Sequence, residues 1–457
     1  MSCINLCRFL PGLFLPLVLS ACSVLPDNGD LQAQAEAERQ RLSQWSELNQ
    51  GVSAGSLSDL LSTPELDALV QEALQANPDL QQTLLSLQIL QAQYRQTHAE
   101  QLPEADFSLS ADREEDSDTG YSGAFTVSWE LDLWARLADS SAAAARDVAE
   151  QQALYQSARD TLVAEVMQGW LSLINLQHQV EIQSERVAVL AQNEQLIIQR
   201  YRAGLSTLED LDTARTATES ARSTLVSAEE SLRQQQRALN VLLGRPQGST
   251  LVVADYPEVL LPLTELPEQT LQRRPDLKAA WLALEADQLR TRVAYKEMLP
   301  SLNLEAALTD AAESLSDALL KDPLWSLLGQ LSAPLFRGGE LKAAAEEAEL
   351  TAAQSYQAYR ETLLNAVQEV EDAIGQERSL KAQQAHTEQA LASARRTFEQ
   401  YRRKYRQGLV SLLDLLEVQQ DLYDLEQQLD NLIYQRLENR ITLGLALGLG
   451  IKENNPQ

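Results

Sequence analysis

Tyr121-Ser122-Gly123-Ala124-Phe125-Thr126-Val127-Ser128-Trp129-Glu130-Leu131-Asp132-Leu133 alternates without a break. One face reads Tyr, Gly, Phe, Val, Trp, Leu, Leu; the other reads Ser, Ala, Thr, Ser, Glu, Asp. A period of two predicts a strand with two unlike faces. Just upstream, Phe107, Leu109 and Ala111 alternate with Ser108, Ser110 and Asp112, and the acidic stretch from Arg113 to Gly120 reads as an exposed hairpin turn. An apolar face carrying aromatics, opposite a polar face, is the signature of a membrane β-barrel strand. A hairpin of a soluble sandwich is the competing reading.

The pattern occurs twice. Leu302, Leu304, Ala306 and Leu308 alternate with polar neighbours, and so do Trp325, Leu327, Gly329, Leu331 and Ala333. Asn77-Pro78-Asp79-Leu80 returns as Arg274-Pro275-Asp276-Leu277, and Leu102-Pro103 as Leu299-Pro300 at the same offset. Tyr201-Arg202-Ala203-Gly204-Leu205 returns as Tyr405-Arg406-Gln407-Gly408-Leu409 at a slightly longer one. The chain is a tandem duplication whose period is far longer than a solenoid repeat. Each half therefore supplies one hairpin. Four strands are too few to close a barrel, which needs about eight. An open sheet in lipid leaves edge N–H and C=O groups unpaired, so barrel hairpins imply oligomerisation.

Proline is missing from two long stretches, Pro103 to Pro246 and Pro334 to Pro456. Proline costs about 3 kcal/mol inside a helix, so these stretches have room for very long helices, up to ~100 Å at 1.5 Å per residue. Helices are expected at about 66–74, 78–101, 136–203, 206–243, 340–407 and 409–448. Leu211, Ala214, Thr218, Ala221, Leu225, Ala228, Leu232, Gln235, Leu239 and Leu242 alternate spacings of three and four, as a coiled-coil seam does. The second copy carries the seam as Leu415, Val418, Leu422, Leu425, Leu429, Leu432, Arg436, Asn439, Leu443 and Ala446. Gly204 and Gly408 suit left-handed helix ends, and Ser206-Thr207 and Ser411 are N-caps for the helices that follow. Each helical pair thus ends in a hairpin tip.

The N-terminus reads as a targeting segment. Arg8 precedes a Leu-rich run, Phe9 to Val18, too short to span a bilayer. Leu19-Ser20-Ala21-Cys22 then resembles a lipobox, which makes Cys22 the acylated first residue of the mature chain and rules out a disulfide. A net charge of −29 argues against nucleic-acid partners, because phosphate contacts need clustered Lys and Arg. No Gly-rich phosphate loop is present, so nucleotide hydrolysis is not expected. His98, His178 and His386 lack metal-site spacing and read as helix-surface residues; no metal or cofactor is expected beyond the lipid on Cys22.

The whole chain resembles the TolC-type outer-membrane factor family, in its NodT-like lipoprotein branch paired with multidrug efflux pumps. The likeness rests on the lipobox, Pro64-Glu65-Leu66-Asp67-Ala68-Leu69, the two Pro-Asp-Leu motifs, Leu299-Pro300-Ser301-Leu302 and the two Tyr-Arg-x-Gly tips. It implies an α+β membrane protein. Three chains of four strands would form a 12-stranded outer-membrane β-barrel that continues into a periplasmic α-helical coiled-coil barrel. It implies passive conduction rather than enzymatic activity: an exit duct in the outer membrane of a Gram-negative bacterium. Its partners would be outer-membrane lipids, a periplasmic adaptor and a proton-driven inner-membrane pump.

On that reading, residues 1–21 are signal peptide and 22–65 a lipidated linker. Segments 66–103 and 274–299 are periplasmic helices, and 104–135 and 300–336 are barrel hairpins. Segments 136–243 and 337–450 are long helical hairpins, 244–273 is an equatorial linker, and 451–457 is a tail.

The resemblance also assigns sites. Arg202, Gly204, Leu205 and Ser206 with Arg406, Gly408 and Leu409 match the adaptor-contact tips. Asp210, Asp414 and Glu417 match the periplasmic constriction and selectivity rings, where three-fold symmetry would crowd carboxylates and favour cations. The family's latch arginine, two residues past the tip glycine, is replaced by Val410, so a salt-bridge latch there is not expected. Two other readings stay open: a duct for type I protein secretion or metal efflux, and a structural coiled-coil lipoprotein spanning the periplasm.

Overall fold

The computed structural model describes residues 31–41, 45, 51–61, 63–113, 115, 119–246, 255–263 and 267–451. The expected signal peptide, Cys22 and the tail beyond residue 451 lie outside them.

The elements in chain order are α1 (Leu31–Gln40), a 3-10 turn at Leu57–Asp59, α2 (Pro64–Ala76), α3 (Pro78–Ala99), β1 (Glu104–Asp112) and β2 (Gly120–Leu131). Then come α4 (Arg136–Arg202), α5 (Leu208–Leu242), α6 (Pro267–Arg273), α7 (Pro275–Lys296), β3 (Ser301–Ala312), β4 (Leu324–Ser332), α8 (Glu340–Arg406) and α9 (Leu412–Ala446). α4 and α8 are 67 residues each, and α5 and α9 are 35 each, so the duplication holds residue for residue through both helical hairpins. The expected strand ends two residues early: Asp132 leaves β2 because its carboxylate caps α4, accepting the N–H of Arg136 at 2.6 Å and of Ala138 at 2.8 Å.

The chain divides into two compact units. The first holds Ser86–Ala153 and Leu277–Thr362 with α1. Its centre is an antiparallel sheet of order β1-β2-β3-β4. The β2–β3 ladder joins the two repeats, pairing Phe125 with Leu308 and Trp129 with Leu304. Register decides what each face carries. Phe107, Phe125, Leu308 and Trp325 form one apolar row across all four strands, while on the other face Glu104, Ser128 and Glu305 form a polar row on β1 to β3 that ends in Leu328 on β4. Phe107, Leu324, Trp325, Leu327 and Leu331 are exposed. β1 and β4 are the edges. The base of the sheet is tied down by Trp134, which donates to the Pro300 carbonyl at 2.7 Å, and by Lys296, which pairs with Asp139 at 2.7 Å.

The second unit holds Leu42–Leu85, Leu154–Asp276 and Leu363–Gln457. Its core packs Leu57, Leu60 and Leu66 against Met167, Leu171, Leu173, Ile174, Leu239 and Leu243, all nearly or fully buried. The repeats show in its hydrogen bonds. Asn77 donates to the Leu242 carbonyl at 3.0 Å, and Arg274, its counterpart, to the Ala446 carbonyl at 3.1 Å. Each side chain satisfies a carbonyl that a helix end leaves without an intrahelical partner. Arg274 also pairs with Asp276 and Glu369, both at 2.7 Å. At the middle of each seam Leu225 and Leu425 are only half-buried in the single chain.

Candidate functional site: the helical-hairpin tips

Both tips lie in the second unit. At the first, α4 ends in two bonds: Leu205 N–H to the Arg200 carbonyl at 2.8 Å and Gly204 N–H to the Tyr201 carbonyl at 2.9 Å. The second tip repeats them, Leu409 to Lys404 and Gly408 to Tyr405, both at 3.0 Å. This Schellman pattern needs a left-handed residue, and Gly204 and Gly408 supply φ of 72° and 73°. A Cβ on either would meet nothing within 4 Å, so the glycines serve the backbone and not packing.

The next helices begin with capping boxes. Thr207 Oγ1 accepts the Asp210 N–H at 3.1 Å, and Asp210 Oδ2 accepts the Thr207 N–H at 2.9 Å. The hydroxyls of Ser206 and Thr207 donate to the same Oδ2, each at 2.8 Å. At the second tip, Ser411 Oγ accepts the Asp414 N–H at 3.1 Å, and Asp414 Oδ2 accepts the Ser411 N–H at 2.9 Å and its hydroxyl at 2.6 Å. These bonds hold both carboxyls below the usual aspartate range. For Asp210 the Thr207 backbone bond weighs most, and for Asp414 the Ser411 side-chain bond does. Within one chain, then, the two aspartates are helix-capping groups held ionised by donors; the crowding of like charges would need other copies. Glu417 lies one turn after Asp414 and is exposed.

Around these caps the tips are apolar and basic. Leu205, Leu208, Leu409 and Leu413 are all more than half exposed. Arg200 and Arg202 end α4, and Arg403, Lys404 and Arg406 end α8. The Arg200 guanidinium lies 5.6 Å over the Tyr405 ring, joining the two tips, and Ile197, Leu211, Ala214 and Leu412 form a small core beneath them.

Long-range packing reveals residues that periodicity did not. His178 is not a plain surface residue: its Nδ1 lies 2.9 Å from Asp430 Oδ1, and its ring meets Tyr256 edge-on at 4.8 Å. Asn175 and Tyr256 donate to Asp430 Oδ2 at 2.9 and 3.2 Å. Burial, with Asp430 adding to it, pushes the Tyr256 hydroxyl up. Glu377, almost fully buried, bonds Arg436 at 3.0 Å and Arg440 at 3.1 Å through Oε1, while Oε2 has no partner. These contacts span sequence separations that no local pattern encodes. Among the described residues no trio of His, Cys, Asp or Glu is placed to hold a metal, and no helix is long and apolar enough to cross a membrane; neither statement bears on the sheet.

Residues 69–245 and 266–449 match a family model described as outer membrane efflux protein. The chain belongs to the outer membrane efflux protein family. The cation efflux system protein CusC of Escherichia coli O6:H1 is 30% identical over 458 residues, covering 97% of this chain and 99% of CusC. The pyoverdine export outer membrane protein OpmQ of Pseudomonas putida is 28% identical over 417 residues, covering 86% of this chain and 88% of OpmQ. A CusC crystal structure matches with TM-score 0.75 and 28% identity, over 89% of this chain and 100% of that one. The Campylobacter jejuni CmeC outer membrane channel, 21% identical with TM-score 0.81 over 91% of this chain and 92% of its own, shares the fold. The fold class is therefore that of the TolC-type channels, in which strands and helices of several chains build one barrel, and the protein is the outer-membrane channel of an efflux system, reaching into the periplasm.

Proposed function

We propose that three identical chains form the working duct, and that it conducts passively whatever a periplasmic adaptor and a proton-driven inner-membrane pump deliver. The observation that carries this is the open sheet: four strands, two free edges and an exposed apolar face. In lipid, each unpaired edge group costs several kcal/mol. Three sheets joined edge to edge leave no edge and put the Glu104–Ser128–Glu305 face on the lumen. Acyl chains on Cys22 would hold each chain to the membrane.

The exposed leucines and cations of Arg202–Ser206 and Arg406–Leu409 form the adaptor contact, and the Schellman turns fix its shape. Asp210, Asp414 and Glu417 would become rings of carboxylates at the periplasmic mouth once three chains assemble, with the capping bonds setting where Asp210 and Asp414 point. Cargo is left to the pump: relatives named for cation efflux and for pyoverdine export match almost equally well. Planar-bilayer recording on purified protein tests the duct. Single channels are expected, with an Asp414→Ala/Glu417→Ala variant losing cation preference. A non-conducting protein would favour a structural coiled coil instead.

A further inference from the structure

Beyond the aromatic row of the sheet, the next row outward reads Leu109, Gly123 and Asp310. An aspartate on the lipid-facing side of a barrel is unfavourable. Here it is covered. The segment between β3 and β4, residues 313–323, turns back over this row. Asp322 donates its N–H to Asp310 Oδ2 at 3.0 Å. The Ala318 carbonyl lies where a side chain on residue 123 would start, 2.1 Å from an added Cβ, so only glycine admits the segment. Leu109 is 3.9 Å from the same point, which places the segment on the apolar face and not the polar one.

The segment has a built shape. Ser314 and Asp317 cap one helical turn, the Asp317 carboxylate pairs with Lys321 at 2.9 Å, and Leu320 ends the turn with φ of 57°. Ala318 is fully buried, while Leu315 and Leu319 stay exposed, one turn apart. Trp325, which follows it on the apolar face of β4, is more than three-quarters exposed. An amphipathic turn whose leucines extend a membrane-facing apolar band fits the acyl–headgroup boundary.

We propose that residues 313–323 form a lipid-contacting collar on the outside of the barrel, with Leu315 and Leu319 seated in the outer leaflet and Asp310 shielded beneath them. This rests on the closed outer-membrane barrel proposed above. Spin labels on Leu319→Cys, Leu327→Cys and Thr119→Cys, with the protein in phosphatidylethanolamine–phosphatidylglycerol vesicles, test it by comparing collisions with oxygen and with a nickel chelate. The Leu319 label should prefer oxygen, like Leu327 on the apolar face and unlike Thr119 in the β1–β2 turn. Adding Gly123→Val should dislodge the collar and shift only the Leu319 label to the nickel chelate. Nickel preference at Leu319 beside oxygen preference at Leu327 would overturn the collar and leave the barrel standing. A label shielded from both reagents would mean that a neighbouring chain covers the segment, which also overturns it. Nickel preference at Leu327 would sink the barrel reading itself.

Discussion

Asp414 takes both the N–H and the hydroxyl of Ser411 on a single oxygen, Oδ2, at 2.9 and 2.6 Å, and Asp210 does the same with Thr207. The carboxylates that family likeness assigns to a selectivity ring are thus also the groups that start α5 and α9.

This coupling predicts an acid response. Donors to the carboxylate depress both folded-state pKa values. The caps therefore stabilise fully above the unfolded aspartate value, about pH 4, and that stability is lost as pH falls through the lower folded value. Pepsin cleavage at the tips should rise steeply below about pH 4. In an Asp210→Asn/Asp414→Asn variant, which has no such carboxylate to titrate, the rise should flatten.

Glycines of like conformation should differ in what they tolerate. Gly204→Ala meets open space and pays only for the left-handed backbone, about 1 kcal/mol. Gly244 has a similar φ of 70°, but an added Cβ would lie 2.3 Å from the Ala76 carbonyl. Gly244→Ala should lower the urea midpoint several times more than Gly204→Ala does. Equal shifts would contradict the contact assigned to Ala76.

The tips should be separable from assembly. Gly204→Glu with Gly408→Glu adds charge and bulk where Leu205 and Leu409 are exposed. Export in cells should be lost while the oligomer and its barrel persist on extraction. Unchanged export would remove the tips from the adaptor contact.

The two copies differ where Glu377 lies. Its counterpart in the first copy is Leu173, fully buried, and that of Arg436 is Leu232. Glu377→Ala leaves two half-buried guanidinium groups short of a carboxylate and should cost about 3 kcal/mol, the lower end for a broken buried pair, read from chemical denaturation. Glu377→Leu with Arg436→Leu copies the first repeat and should recover part of that loss. A double variant no better than the single would show that the ion pair itself is the stabiliser.

The alternation from Tyr121 to Leu131 made the sheet legible, because one face of the strand is apolar and the other polar. Proline spacing and the Tyr-Arg-x-Gly motifs did the same for the long helices and their turns, since both signals are local. The capping boxes were half legible: Thr207 and Ser411 stood out as caps, but Asp210 and Asp414, three residues on, read as channel features. Nothing local marks His178 as the partner of Asp430, Glu377 as the partner of two arginines, or Gly123 as the seat of Ala318. Those contacts join segments that only the folded chain brings together.

In the proposed duct the open edges of β1 and β4 are closed by other copies of the same chain. Native mass measurement of the detergent-extracted outer-membrane protein tests it most directly. One species of three chains is expected; a monomer that keeps its sheet would mean that no other copy closes those edges.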